Sequence, residues 1–412
     1  MKLNILIMLL VAVAVQSVCL AQKTSPSPPP SGHPSSIPVP VPSPPIDYNG
    51  LRRAIDEERM NSPEPAAKSV TIAEMEKTLS DNRRLGDANL AVILSKLTLT
   101  ERANAARLSR WNSESLGPQT RQALMALADG SAFLLLPTDD IPTAPAPSPA
   151  EQRRMITAFA ELLSGTLPRL PNLRATRFTT YFEDRPPRQL PLSTDPDASD
   201  PLRNRPMHVV GTSRIQVAYV EGHEVAEKNG GFGDADLYAS RFTTGGEFGP
   251  ILYGVMMDAA QTKLVWAGWE SDADGPLACF RFDAPKEKSH YSLKPASAAK
   301  TQNQFVAYRG EIVIRPSDGM IVRLSVVAIP APEDALAVAD IAVEYDRIEI
   351  GQRFYMCPVH GVALSKVPLR ATLATKQDQP APLQTQLNDV LFQQYHVFRG
   401  DVRIMQESSA QP

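Results

Sequence analysis

The residues of this chain that could do chemistry are its histidines, its three cysteines and a few acidic or glycine-rich runs. Their spacing decides which chemistry is open. A zinc hydrolase helix needs two His four apart around a Glu; His223-Glu224 lacks the second His and falls at a predicted hairpin turn. His208, His290, His360 and His396 stand alone in sequence and read as ordinary strand residues. Asp195, Asp197 and Asp200 imitate a calcium loop, as do Asp272 and Asp274. Neither run has a liganding Glu at the required distance, so both read as surface turns. Lys228 to Pro250 is rich in glycine (Gly230, Gly231, Gly233, Gly245, Gly246, Gly249), but a phosphate loop needs G-x-x-x-x-G-K-[ST], or G-x-G-x-x-G opening a helix. Here Gly231-Phe232-Gly233 is followed by Asp234 and Asp236, whose charge repels phosphate. The segment reads as a loop over the open side of a sheet. No G-x-S-x-G elbow and no C-x-x-C pair occurs. The sequence therefore predicts no catalytic, cofactor-binding or metal-ligating residue, and no cofactor.

Net charge of −3 leaves no basic field to hold a nucleic-acid backbone, which argues against nucleic-acid partners. At the amino terminus, Lys2, the apolar run Ile5 to Val15 and the small residue Ala21 compose a secretory signal over residues 1–21. That run is shorter than the roughly 20 apolar residues that cross a bilayer, and no later segment approaches that length. The expectation is an exported protein, periplasmic or extracellular, without a transmembrane segment in the mature chain. Cys19 raises lipid anchoring, which Gln16-Ser17-Val18 do not fit. Cys279 and Cys357 lie in predicted strands, as two buried free thiols or, since export permits it, as a bridge.

The elements that would position these residues divide the chain. Residues 22–47 hold ten of the 38 prolines and form an extended tether. Residues 48–136 are a small helical region. Thr71-Ile72-Ala73-Glu74 and Thr98-Leu99-Thr100-Glu101 both fit the capping box, and Leu90, Ile93, Leu94 and Leu97 form an apolar stripe. A further helix opens with Pro118 at its first position and stops at Gly130. Residues 137–149 are a proline-rich connector. Residues 150–406 are an α+β domain, with residues 407–412 as a tail. Ser148-Pro149-Ala150-Glu151 caps its helix, which shows Met155, Ile156, Phe159, Leu162 and Leu163 on one face.

Everything after Leu167 is strand-like, in runs Thr176–Glu183, Pro206–Val220, Lys263–Glu270, Leu277–Phe282 and Gln394–Ile404, with two hairpins between. In the first hairpin, Ile312 and Ile314 alternate against Glu311, Val313 and Arg315. Pro316-Ser317-Asp318-Gly319 turns the chain, and Met320, Val322, Leu324 and Val326 return on one face. The second pairs Ile341, Val343 and Tyr345 with Phe354 and Met356 across Gly351-Gln352. Each hairpin is expected to bury one face, leaving Arg281 and Arg323 solvated. Helices first and strands afterwards mean α+β: a short-helix bundle, then a curved antiparallel, half-barrel-like sheet covered by a helix.

The runs Leu97-Thr98-Leu99-Thr100-Glu101-Arg102, Ala126-Leu127-Ala128-Asp129-Gly130-Ser131-Ala132-Phe133, Gly246-Glu247-Phe248-Gly249 and Tyr308-Arg309-Gly310 resemble those of a family of uncharacterised exported bacterial proteins, which brings no activity with it. More loosely, Ile312–Leu324 and Tyr345–Val362 are similar to the half-barrel sheets of periplasmic lipoprotein carriers. That likeness implies an incomplete antiparallel barrel closed by a helix at Glu151–Leu163, and carries over no site residue. With Trp266, Trp269, Phe280, Phe282, Tyr308, Phe354 and Tyr355 on candidate strands, the expected function is binding an apolar ligand, a lipid or lipoprotein acyl chain. An envelope protein–protein interaction module and an unrecognised hydrolase are the alternatives.

Overall fold

The computed structural model describes residues 66–166, 170–184, 186, 204–220, 223–226, 250–272, 275–293, 304–331, 337–368 and 383–398. The signal, the tether, Cys19, the glycine-rich run to Gly249, Asp195, Asp197, Asp200, Asp274 and the carboxy-terminal tail lie outside them.

Helix α1 (Ile72–Asp81) starts at the predicted capping box: the Thr71 N–H donates to Glu74 Oε2 at 2.8 Å, and the Glu74 N–H to Thr71 Oγ1 at 3.2 Å. Helices α2 (Asp87–Ser95), α3 (Ala105–Ser113) and α4 (Pro118–Gly130) follow. Their core is Met75, Leu79, Leu90, Leu94, Trp111, Leu124 and Leu127, side chains at helical spacing on facing stripes. Pro118 opens α4 as predicted, and Asp87 caps it by accepting the Gln119 and Thr120 N–H groups.

The second capping box is not one. Leu97–Leu99 is strand β2, paired parallel with β1 (Lys68–Val70). Glu101 instead turns its carboxylate to the first turn of α1, accepting the Ile72 N–H at 3.1 Å. Two neighbouring segments compete for one Glu, and the pairing of β1 with β2 decides the outcome.

The second layer is one open, curved, antiparallel ten-stranded sheet in the order β5-β4-β3-β14-β13-β12-β11-β10-β7-β6. Its strands are β3 (Leu173–Glu183), β4 (His208–Val220), β5 (His223–Ala226), β6 (Val265–Asp272), β7 (Gly275–Ala284), β10 (Ala307–Ile314), β11 (Ile321–Ile329), β12 (Val338–Ile350), β13 (Arg353–Pro368) and β14 (Leu383–Val397). A two-residue pair, β8 (Ser292–Leu293) with β9 (Gln304–Phe305), sits beside it. Bulges at Glu344/Tyr345 and at Gln393/His396 add local bend and twist.

Helix α5 (Pro149–Thr166) begins at its capping box, with the Ser148 N–H donating to Glu151 at 2.8 Å. It lays Met155, Phe159 and Leu163 on one face of the sheet, against Ile312, Ile314, Leu324, Val326, Ile341 and Val343. Helix α6 (Pro250–Gln261) adds Leu252, Val255, Met256 and Ala259 to the same core. These side chains fill the space under α5. Each buried Leu, Ile or Phe contributes roughly 1.5–3 kcal/mol, so this layer is the main source of stability.

The opposite face is covered too, which corrects the one-buried-face expectation. Ala126 of α4 packs on Phe182, Val362 and Leu387, and Val313 and Arg323 are buried beside Leu277 and Cys279. The protein is a three-layer stack: helical unit, sheet, and the α5–α6 pair.

Candidate functional site

A charged row crosses the sheet beneath the helical unit, one residue per strand. It begins with Glu270 on β6, runs through Arg281 on β7, Glu311 on β10, Arg323 on β11, Glu344 on β12 and His360 on β13, and ends at Asp389 on β14. Register makes the row: Arg281 pairs with Glu311, Arg323 with Glu344 and Glu344 with His360, so their side chains share one face.

In the half nearer β6, three arginines meet two carboxylates. Arg323 donates to Glu270 at 2.9 Å and to Glu311 at 2.6 Å, Arg281 donates to Glu311 at 2.7 Å, and Arg102, from the loop before α3, also pairs with Glu270. Arg323 is 8% exposed, not solvated as its sequence context suggests, because the helical unit covers that face. Burial raises the Glu270 carboxyl above its ordinary range, offset in part by Arg102. Cys279 lies beside Glu270 and Glu311, and burial with those charges pushes its thiol up. Cys279 and Cys357 are both free and buried. Three arginines already pair with these carboxylates.

The other half is acid-rich. His360 Nε2 lies 2.9 Å from Asp389 Oδ1 and 3.6 Å from Asp129 Oδ1, while its Nδ1 lies 3.3 Å from Glu344 Oε2. Asp129 comes from the last turn of α4, three residues after Ala126 and on the same helix face. Burial would lower the imidazole's pKa, but hydrogen bonds to Asp389 and Glu344 and the Asp129 charge hold it well above its ordinary value. Burial and the Asp389 charge raise Asp129 well above the carboxylate range. Asp129, His360 and Asp389 could together hold a metal ion, as could Glu270, Cys279 and Glu311, although arginines fill the second group. His360 lies on a strand, as the sequence suggests, and tertiary structure adds the three carboxylates around it.

A second arrangement sits at the other side of the sheet. A cleft of about 640 Å³ opens at the end of α6, lined by Gln261, Lys286, Glu287, Lys288, Ser289, His290, Gln304 and Phe305. Lys286–Lys288 is a single 3₁₀ turn with exposed lysines, and Phe305 is 46% exposed. Behind His290, Asp258 of α6 is fully buried. It accepts the His290 N–H at 2.9 Å and the Tyr308 hydroxyl at 2.8 Å, and its other oxygen pairs with His290 Nδ1. Burial and the Asp258 charge raise the Tyr308 phenol. Asp258 thereby aims a half-exposed imidazole along the cleft. An Asp, a His and the neighbouring Ser289 meet here, but Ser289 Oγ accepts the Tyr291 N–H at 3.1 Å and makes no nucleophile–base bond to His290 among those the structure records.

His208 and His396 lie on β4 and β14 and join neither arrangement; the His223 side chain is outside the described atoms. Asp272 ends β6, paired with Gly275 of β7. Among the described residues no helix is long and apolar enough to cross a membrane. No family model, no curated protein and no solved structure matches the chain.

Proposed function

We propose that the protein is an exported binding protein for an anionic amphiphile, a fatty acid or an acidic lipid, taken up in the cleft at the end of α6. The observation that carries this is the cleft itself. At about 640 Å³ it falls within the roughly 300–1,000 Å³ of ligand pockets, with exposed Phe305 for an apolar tail and Lys286 and Lys288 for an anionic head. The space under α5, where the sequence points, is taken by Met155, Phe159 and Leu163. Long lysine stems add apolar surface while keeping their charge in water, which suits a ligand with both characters. The export signal read from Lys2 to Ala21 and the likeness of Ile312–Leu324 and Tyr345–Val362 to half-barrel carriers point the same way.

Titration of purified protein with dodecanoate tests the reading. Saturable binding is expected, weakened at least tenfold by Lys286→Glu with Lys288→Glu and abolished by Phe305→Asp. No uptake of dodecanoate or of lipid from a membrane extract, or equal uptake by the variants, would refute it. The Asp258-oriented imidazole of His290 favours a second reading, activation of water in the same cleft. Turnover of 4-nitrophenyl butyrate that disappears in His290→Ala supports it, and an inert wild-type protein ends it.

A further inference from the structure

We propose that Asp129, His360 and Asp389 form a divalent-cation site that staples the helical unit to the sheet, with Glu344 orienting the imidazole from behind. The argument begins with an orphaned atom. Asp129 is 3% exposed, its Oδ1 faces His360 Nε2, and its Oδ2 is buried without a hydrogen-bond partner. A buried, unpartnered carboxylate oxygen costs about 1–3 kcal/mol or more. Its position makes matters worse, because the last turn of a helix presents the negative end of the dipole. Three unfavourable features coincide at one side chain, and a cation relieves all three.

Geometry fits the ion. Ligand bonds of about 2.0–2.1 Å in a tetrahedral site set donor atoms roughly 3.3 Å apart. The His360 Nε2 distances to Asp389 and Asp129, 2.9 and 3.6 Å, bracket that value. One donor atom from each of the three residues lies within 4.8 Å of the others. Glu344 at 3.3 Å from Nδ1 supplies the carboxylate that metal-bound imidazoles commonly carry on their other nitrogen, fixing Nδ1 as the protonated one. An imidazole with two carboxylates suits Zn²⁺ or Mn²⁺, and three protein ligands leave a coordination position open.

Charge points the same way. Asp129 faces the site from α4, Glu344 from β12, Asp389 from β14 and His360 from β13; Arg102 acts on Glu344 from the loop before α3. Three carboxylates surround one imidazole, so even a protonated ring leaves a negative excess. The Glu270–Glu311 cluster a few strands away carries Arg102, Arg281 and Arg323 for its two carboxylates and has no such excess.

The test uses tag-free full-length protein, stripped with chelator and dialysed against micromolar Zn²⁺ or Mn²⁺, with bound metal measured by atomic emission. One equivalent is expected in the wild type, with loss in Asp129→Asn and His360→Gln whose circular dichroism is unchanged. At a hundredfold excess over Kd the melting temperature should rise by about 5 °C in the wild type only. Absence of retained metal, or equal retention in both variants, overturns the proposal. Should the variants fail to fold, imidazole ¹⁵N NMR of the wild type decides. Metal is expected to shift Nε2 while Nδ1 stays protonated, and a ring doubly protonated at saturating metal overturns the assignment.

Discussion

Replacing Asp340 by Asn should stabilise the protein at pH 8 and leave it nearly unchanged at pH 4. Asp340 lies on β12, 7% exposed, with Oδ1 accepting the Ala328 N–H at 3.0 Å. Burial pushes its carboxyl from 3.8 to about 7, the single backbone hydrogen bond offsetting only part of that cost. The difference is about three units, or on the order of 4 kcal/mol at 1.36 kcal/mol per unit. An acid whose folded pKa is raised holds its proton more tightly when folded. Its contribution is therefore fully present below about pH 4, declines as pH rises toward 7, and is gone above that. Asn keeps the carbonyl oxygen that accepts from Ala328 but never ionises. Urea unfolding of both proteins at pH 4 and pH 8 gives four free energies. The difference of differences should be about 2–4 kcal/mol in favour of the variant at pH 8, and any pH-independent cost of the amide cancels from it. A variant whose stability tracks the wild type at both pH values would refute the reasoning that burial governs this carboxyl.

Three further outcomes can be measured together. Gly319 turns at φ +71°, and a Cβ there would lie 2.6 Å from the Ala158 carbonyl carbon and Phe159 nitrogen of α5, whereas Gly351, at φ +56°, has open space around it. Gly351→Ala should cost about 1 kcal/mol in thermal melts and Gly319→Ala clearly more, through displacement of α5; equal costs would contradict the close approach. Arg323→Met removes the cation that bridges Glu270 and Glu311, leaving them to Arg102 and Arg281, and should cost about 1.5–3 kcal/mol at pH 7 by chemical denaturation. The loss should shrink in acid, since Glu270 already takes up a proton above the ordinary range; an undiminished loss would mean that packing, not charge, is at stake. Cys279 and Cys357 should resist alkylation in the native protein and both react in denaturant without reductant, as seen by mass spectrometry; a bridged pair would give no such labelling. Burial holds both thiols up, Cys357 to about 12, so neither offers a thiolate at neutral pH.

Local signals in this sequence report local structure faithfully. The capping boxes at Thr71 and Ser148 close over three residues, and Pro118 needs only the turn it opens. The alternation from Tyr308 to Val326 sets a hairpin whatever surrounds it. Those features, with the order helices then strands, determine the α+β class, and α5 falls on the sheet because its apolar stripe has nowhere else to go. Where a motif depends on a distant partner, the same reading fails. Thr98–Glu101 has the letters of a cap but lies against β1, and the strand ending at Val397 begins at Leu383, hidden because buried polar residues such as Gln386 and Asn388 break the apolar alternation.

The candidate sites belong wholly to this second category. His360 meets Glu344 and Asp389, 16 and 29 residues away, only through strand register, and Asp129 only through the docking of α4. Asp258 reaches His290 and Tyr308 because α6 rides on the sheet, an element preceded by glycines that conceal its start. Sequence periodicity says which residues share a strand face, since that follows from backbone geometry alone. Whether water or a helix lies on that face is settled by long-range packing, and that choice turns Arg323, expected solvated, and His360, expected an ordinary strand histidine, into members of a buried ionic layer.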